Sequence, residues 1–256
     1  MTTDLTGRVA IVTGAGTGLG TAIAGALGDA GADLLLHYRS HAGATEALAD
    51  RLRAAGRRVH LAQADFSADA GAAAGLVDVA VERLGRADIL VNNAANTMHL
   101  APLETMPRSL FEETLDINVV APFLATQALA RHLMAAGRPG RVINIGSVHA
   151  RQSAPQHTAY EVSKGAISAL TFSSAVALAP HGITVNCVAP GAVVVERYGE
   201  GWDRDWYVSR TPVGRMGEPA DIASLVVYLA GDDTGFLTGE TIYVDGGMTR
   251  RMGLVK

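Results

Sequence analysis

A chain of 256 residues, 48% hydrophobic and 18% charged, carries enough apolar material for a sizeable core and too little charge to remain disordered. Its formal net charge of -4, with no block of like charge, argues against a nucleic-acid groove or a polybasic membrane patch and leaves small-molecule chemistry. Cys187 is the only cysteine, which excludes an intrachain disulfide and a cysteine-based metal cluster. No linker interrupts residues 1–256, so one domain is expected. The polar start at residues 1–8, and the lack of a run approaching ~18 apolar residues, predict a cytoplasmic protein without a membrane partner.

In chain order, residues 8–12 form a short apolar run that ends at Gly14. Residues 18–30 then carry Leu19, Ile23 and Leu27 at helical spacing, so strand, glycine turn and helix follow one another. Residues 32–37 read as a second buried strand, and residues 42–55 as an Ala- and Leu-rich helix stopped by Gly56. Further strands are predicted at 58–62, 87–91, 141–145, 183–188 and 241–244, with helices at 68–84, 108–136, 158–179 and 219–230. Within the strand 183–188, Cys187 reads as a small buried residue. Strands without polar alternation, each followed by a helix, predict an α/β fold: a doubly wound, Rossmann-type parallel sheet of about seven strands with helices on both faces. Residues 192–215, with Tyr198, Trp202, Trp206 and Tyr207 among charges, lack clear periodicity and are expected to form a lid over the substrate.

The run Thr13-Gly14-Ala15-Gly16-Thr17-Gly18-Leu19-Gly20 follows a strand and opens a helix. In that setting glycine permits a tight turn and close backbone approach, while the helix start offers free N–H groups to a pyrophosphate. An acidic residue at the end of the second strand would bind the ribose 2′-hydroxyl of NAD, but the residues there are His37-Tyr38-Arg39-Ser40. Arg39 and Ser40 suit a 2′-phosphate instead, so NADP(H) is favoured over NAD(H).

Tyr160 and Lys164 lie four apart on a predicted helix, about 40° apart around its axis and on one face. Phenol has a reference pKa near ~10, so a neighbouring ammonium is what a tyrosine needs to take a proton at neutral pH. Such a pair also occurs on solvated helix faces. Ser163 in the same turn reads as a packing residue, and Asn118, inside the predicted helix 108–136, would by itself more often be a surface residue. Ser147 follows the strand 141–145 at the carboxyl end where open α/β sheets bind ligands, and its hydroxyl suits a reacting oxygen.

Across nearly its whole length the chain resembles the short-chain dehydrogenase/reductases. The shared residues are the turn Thr13 to Gly20, Asp65, Asn92-Asn93-Ala94, Pro190-Gly191, and the tetrad Asn118, Ser147, Tyr160 and Lys164. The resemblance implies a cofactor site built from Gly14, Thr17, Gly18 and Leu19, Arg39 and Ser40, Asp65 and Phe66 beside the adenine, Asn93 and Ala94, and Pro190, Gly191 and Val193 at the nicotinamide. It implies that Tyr160 exchanges the proton, Ser147 positions the substrate oxygen, Lys164 holds the nicotinamide ribose and lowers the tyrosine pKa, and Asn118 holds a relay water. Two positions depart from the family pattern: Ala95 stands where Gly is usual, and Val195 where Thr is frequent. The closing segment 237–247 resembles the family's last strand and turn, and implies a homotetramer.

Residues 146–150 and 195–198 resemble the sugar dehydrogenases of that family, of the glucose and rhamnose 1-dehydrogenase type. Asn96, Ser147, His149, Gln152, Glu196 and Arg197 are then the expected contacts to a polyol, although His149 and the lid charges equally suit a solvated surface. A 3-oxoacyl thioester reductase is the alternative, with Arg131, Arg138 and Arg141 as a scattered basic surface for an acidic carrier. A non-catalytic cofactor-binding regulatory protein is the third reading.

Overall fold

A computed structural model describes residues 3–97, 100–195 and 203–251. Seven strands form: β1 (Val9–Val12), β2 (Asp33–Tyr38), β3 (Val59–Gln63), β4 (Ile89–Asn92), β5 (Gly140–Ile145), β6 (Ile183–Pro190) and β7 (Thr241–Val244). All pair in parallel in the order β3-β2-β1-β4-β5-β6-β7, with Ile11 opposite Leu35 on one side and Leu90 on the other. The direction of winding reverses between β1 and β4, which opens a crevice at their carboxyl ends.

The helices are α1 (Gly18–Asp29), α2 (Ala42–Ala54), α3 (Ala72–Leu84), α4 (Arg108–Leu115), α5 (Ala121–Ala136), α6 (Thr158–Leu178), α7 (Arg204–Arg210) and α8 (Pro219–Ala230). Every residue of β1 is buried, yet its side chains alternate between two cores. Ala10 and Val12 share one core with Ile23 and Leu27 of α1, Leu52 of α2 and Val226 of α8. Val9 and Ile11 share the other with Val77 of α3, Leu129 of α5 and Ala175 of α6. Burial on both faces explains why the strands read as continuous apolar runs, as a covered parallel sheet requires.

Three predicted elements differ from the structure. The helix expected at 108–136 is interrupted: α4 ends at Leu115, Asp116–Val120 is a π-helical turn, and α5 begins at Ala121. Pro122 accounts for this, since it cannot donate to the carbonyl of Asn118 four residues earlier and its ring crowds that carbonyl. The helix expected from residue 68 starts at Ala72, after a turn in which Asp69 Oδ1 accepts from Gly71 N–H at 2.7 Å. Within the expected lid, residues 204–210 form the helix α7, capped by Asp203, whose carboxylate accepts from Trp206 N–H at 2.9 Å. Seven residues are too few to register a helical period.

A buried polar chain crosses the sheet toward the crevice. Asn92 Nδ2 donates to Asn144 Oδ1 at 2.8 Å and to Thr126 Oγ1 at 3.3 Å, and Asn144 Nδ2 donates to Thr171 Oγ1 at 2.9 Å. These contacts lock β4 and β5 to α5 and α6. Asn144→Ala would break two buried hydrogen bonds, leaving Asn92 only its longer contact to Thr126 and Thr171 only its bond to the Ile167 carbonyl, so urea titration is expected to show a loss of about 2 kcal/mol. A change under half that size would mean the chain contributes little.

Candidate active site

The glycine turn is tied to its neighbours before α1 begins. Thr13 Oγ1 accepts from the N–H groups of Asn93 at 2.9 Å and Ala94 at 3.0 Å, and Asn93 Nδ2 donates to the carbonyls of Thr13 and Gly14. Gly14 lies at φ +67°, and a Cβ there would come within 2.9 Å of Ala94 Cα, so the turn and the end of β4 touch backbone to backbone. Thr17 is exposed at the start of α1, whose first turn carries no acidic side chain. An anion placed there would meet a helix N-terminus with no competing carboxylate on that helix turn.

His37, at the end of β2, supports the turn from beneath. Its Nδ1 lies 3.1 Å from Gly14 N and its Nε2 3.1 Å from Ala64 O, and its ring stacks on Phe66 at 4.3 Å. The pattern requires a neutral ring that accepts at Nδ1 and donates at Nε2. Burial pushes the His37 pKa down to about 4, against the opposing pull of the Ala64 carbonyl and Asp65. Sequence reasoning passed over this residue because its burial and its partners 23 and 27 positions away are tertiary facts.

Asp65 receives both the hydroxyl and the N–H of Ser67, which hold its carboxyl below the ordinary range, with a smaller contribution from Arg39. Arg39 and Ser40 are exposed just beyond β2, where Gln63 Nε2 donates to the Arg39 carbonyl at 3.1 Å. At the far side of the crevice, Gly191 N donates to Val244 O at 3.0 Å, and Val193 is buried in a parallel bridge with Gly217. Val195 Cγ1 stands 3.4 Å from where a Gly18 Cβ would be, and both Leu19 and Val195 pack against the first core. At this departure from the family pattern an apolar contact closes the segment onto the turn.

The reacting side is assembled from β5 and α6. Lys164 is buried and donates from Nζ to Ile145 O at 2.8 Å, at the carboxyl end of β5, while Nζ lies 5.5 Å from the centre of the Tyr160 ring. Ser147, two residues beyond, is buried, and its Oγ accepts from His149 N at 3.2 Å. The His149 ring meets Tyr160 edge-on at 5.8 Å. Ser147, His149, Tyr160 and Lys164 therefore share one end of the sheet with Gly14 and Asn93.

Asn118 sits in the π-helical turn, fully engaged through its side chain. Its Oδ1 accepts from Asn96 N at 2.7 Å, and its Nδ2 donates to Asn96 O and to Ser163 Oγ, each at 3.0 Å. Ser163 Oγ in turn donates to Tyr160 O at 2.6 Å. Ser163 packs as its position suggested, and it also links Asn118 to the helix turn that bears Tyr160. Asn96, expected to touch substrate, contributes its backbone to this clamp. Gln152 is exposed on the loop beyond His149, and Glu196 and Arg197 lie outside the described residues.

Of the three arginines expected to face a carrier, Arg131 is exposed on α5, while Arg138 and Arg141 are engaged within the fold. Arg141 is buried and donates to Gly231 O and Gly140 O, and Arg138 turns toward Asp88 and His132. A cleft of about 400 Å³ between β3 and α3, lined by His60, Gln63 and Arg83, holds none of the predicted site residues.

The family model described as enoyl-(acyl carrier protein) reductase matches residues 14–249. An uncharacterized oxidoreductase of Methylorubrum extorquens is 40% identical over 95% of this chain and 98% of its own length. Glucose 1-dehydrogenase 2 of Bacillus subtilis is 32% identical over 96% of both chains, and an L-rhamnose 1-dehydrogenase (NAD(P)(+)) of Sphingomonas is 34% identical over 95% and 97%. Among solved structures, a short-chain dehydrogenase/reductase from Serratia marcescens superposes with a TM-score of 0.89 at 36% identity, covering 96% of this chain and 99% of that one. An Agrobacterium tumefaciens protein assigned as a 2-deoxy-d-gluconate 3-dehydrogenase, solved with NADP, superposes at 0.88 with 33% identity over 97% and 98%.

His37 makes the turn sensitive to acid. An unfolded histidine titrates near ~6.5 and the folded one near 4, so between those values the unfolded chain binds more protons and stability falls as pH drops. From this group alone, the unfolding free energy at pH 5 should lie about 2 kcal/mol below that at pH 7.5. Urea titrations of wild type and His37→Asn check this; the variant should lose that share of the difference, and an unchanged difference would clear His37 of the effect.

Proposed function

The chain belongs to the short-chain dehydrogenase/reductase family, whose members interconvert an alcohol and a carbonyl with NAD(P), and on that premise we propose a sugar or related polyol as its substrate and NADP(H) as its preferred cofactor. The observation that carries the alcohol–carbonyl chemistry is the Lys164–Ile145 hydrogen bond, which draws the ammonium, the Tyr160 phenol and Ser147 to one end of the sheet.

The chemistry assigned to each side chain follows from that convergence. In the oxidative direction Tyr160 takes the proton of the substrate hydroxyl, and the Lys164 cation favours its phenolate form. Ser147 donates to the substrate oxygen and holds it toward the phenol. A bound nicotinamide would supply the hydride acceptor, so that the proton taken by Tyr160 from the hydroxyl and a hydride lost from the carbon that bears it together turn CH–OH into C=O. The residues present fit a dinucleotide: the Gly14 turn leaves no room for a Cβ, the α1 N-terminus carries no acidic residue in its first turn, and Lys164 brings a cation to the ribose side. Asn118 clamps the segment after β4 to α6, and through Ser163 steadies the turn that carries Tyr160.

Support for a polyol comes from the glucose and rhamnose dehydrogenases among the relatives and from His149 beside Ser147. The thioester reading is weakened because Arg138 and Arg141 are engaged within the fold. Support for NADP comes from Arg39 and Ser40 where NAD sites carry a carboxylate, and from the relative solved with NADP. A homotetramer is proposed from apolar surface: residues 108–136 and 158–181 are apolar enough to span a membrane, yet they pack on the sheet with Phe123, Phe172 and Val176 left exposed. Phe236 and Tyr228 give a second exposed apolar area near α8.

Tyr160→Phe is expected to lower kcat by about 10³-fold while NADP affinity stays within about twofold, measured by absorbance and fluorescence titration. Retention of wild-type turnover would refute the assigned mechanism. For the cofactor, the ratio of kcat/KM for NADP over NAD should exceed about tenfold and collapse in Arg39→Ala. A ratio favouring NAD would remove Arg39 from the site. Light scattering should report four subunits, and a monomer would defeat the assembly.

A further inference from the structure

Next to Tyr160 on α6 stands Glu161, a carboxylate with no part in the proton transfer described above. Its side chain is only 16% exposed and gathers three donors: Ala154 N–H at 2.6 Å, the Ser153 hydroxyl at 2.8 Å, and His149 Nδ1 at a longer 3.4 Å. All three come from the segment that leaves Ser147 and leads into α6. A carboxylate can only accept, so the imidazole nitrogen facing it must be the protonated one. The His149 ring is thereby held flat against His157 at 5.2 Å and edge-on to Tyr160 at 5.8 Å, while the His149 N–H reaches Ser147 Oγ.

The same segment carries a local conformational cost. Gln156 lies at φ +68°, a region that side chains other than glycine, asparagine and aspartate seldom occupy, and its carbonyl accepts from Ala101 N at 3.2 Å. A loop held in that form needs compensating contacts, and Glu161 supplies two of them at Ser153 and Ala154. Burial and the neighbouring His157 lower the His149 pKa, against the pull of Glu161 and of a hydrogen bond to the Gln152 backbone, so the ring is neutral at neutral pH. Its hydrogen-bonding character is then set by which nitrogen keeps the proton.

We infer that Glu161 is a positioning residue for substrate: by fixing the tautomer and orientation of His149 and the course of residues 151–157, it sets the affinity for hydroxyl groups flanking the reacting carbon of a polyol. This rests on the reading of Tyr160 as the proton-transfer group and of a sugar as the substrate. In Glu161→Gln the one remaining oxygen still faces Ala154 N–H and His149 Nδ1, as Oε1 does in the wild type, but it is neutral and holds the Nδ1 proton more weakly, and an NH2 replaces the oxygen that accepts from the Ser153 hydroxyl. Glu161→Asp keeps the charge on a shorter arm.

The test has two arms. Nitrogen-15 histidine spectra, assigned with His149→Asn, should show His149 protonated at Nδ1 in the wild type and shifted toward the Nε2 form in Glu161→Gln; no substrate is needed. In steady-state assays with the aldose that the wild type oxidises best, Glu161→Gln should raise KM about tenfold, with kcat and NADP affinity within about threefold, and Glu161→Asp should recover part of the loss. Should Glu161→Gln fail to fold, Glu161→Asp is read by the same two arms, with smaller shifts in the same direction. Failure of the wild type to oxidise any aldose or polyol overturns the substrate reading and this inference with it. A wild type that oxidises them, while the variant leaves the tautomer or KM unchanged or loses kcat alone, overturns this inference only.

Discussion

A buried ammonium is tolerated only where something accepts its protons, and for Lys164 the acceptor is the carbonyl of Ile145 at the carboxyl end of β5. That single bond holds the first turns of α6 at the open end of the sheet. Tyr160 is one helical turn earlier on the same face, and Ser147 is two residues beyond the acceptor, so one contact sets the spacing of three groups. Without it α6 would still be tied to β5 through Asn144 and Thr171, but the turn that bears Lys164 would lose its own bond to the carboxyl end of the strand.

The sheet makes that position chemically useful. Parallel strands buried on both faces leave their carboxyl ends as the place where loops and helix N-termini converge, and the reversal of strand order at β1 and β4 keeps them apart enough to admit a ligand. Backbone contacts such as Gly14 against Ala94 bring the turn within reach of the end of β4, and the polar chain Asn92–Asn144–Thr171 carries the alignment from strand to α6. Hydrogen-bonded polar residues inside a core cost more than apolar ones when misplaced, and so they specify register as well as stability.

The interruption between α4 and α5 serves the same alignment. Pro122 prevents an ordinary helical bond to Asn118, and the widened turn presents the Asn118 amide to Asn96 on one side and Ser163 on the other. Two segments far apart in the chain are thereby fastened to the turn that bears Tyr160. Glu161 acts from the opposite side of that turn on the loop after Ser147, so the phenol sits between two clamps.

Periodicity and glycine placement were enough to read the seven strands, the covering helices, the glycine turn between β1 and α1 and the Tyr160–Lys164 face, because strand burial, helical spacing and turn geometry are local properties. Their limits were local too: Pro122 was visible in the sequence, but a helix-length apolar pattern across it hid the π turn, and the seven residues of α7 were too short to show a period. What only the tertiary structure decided are the partners. His37 meets Gly14 and Ala64, Asn118 meets Asn96 and Ser163, and Glu161 meets the loop before it. A side chain of given type is the same chemical group wherever it stands. Its burial, and the donor or acceptor opposite it, exist only once distant segments are packed together.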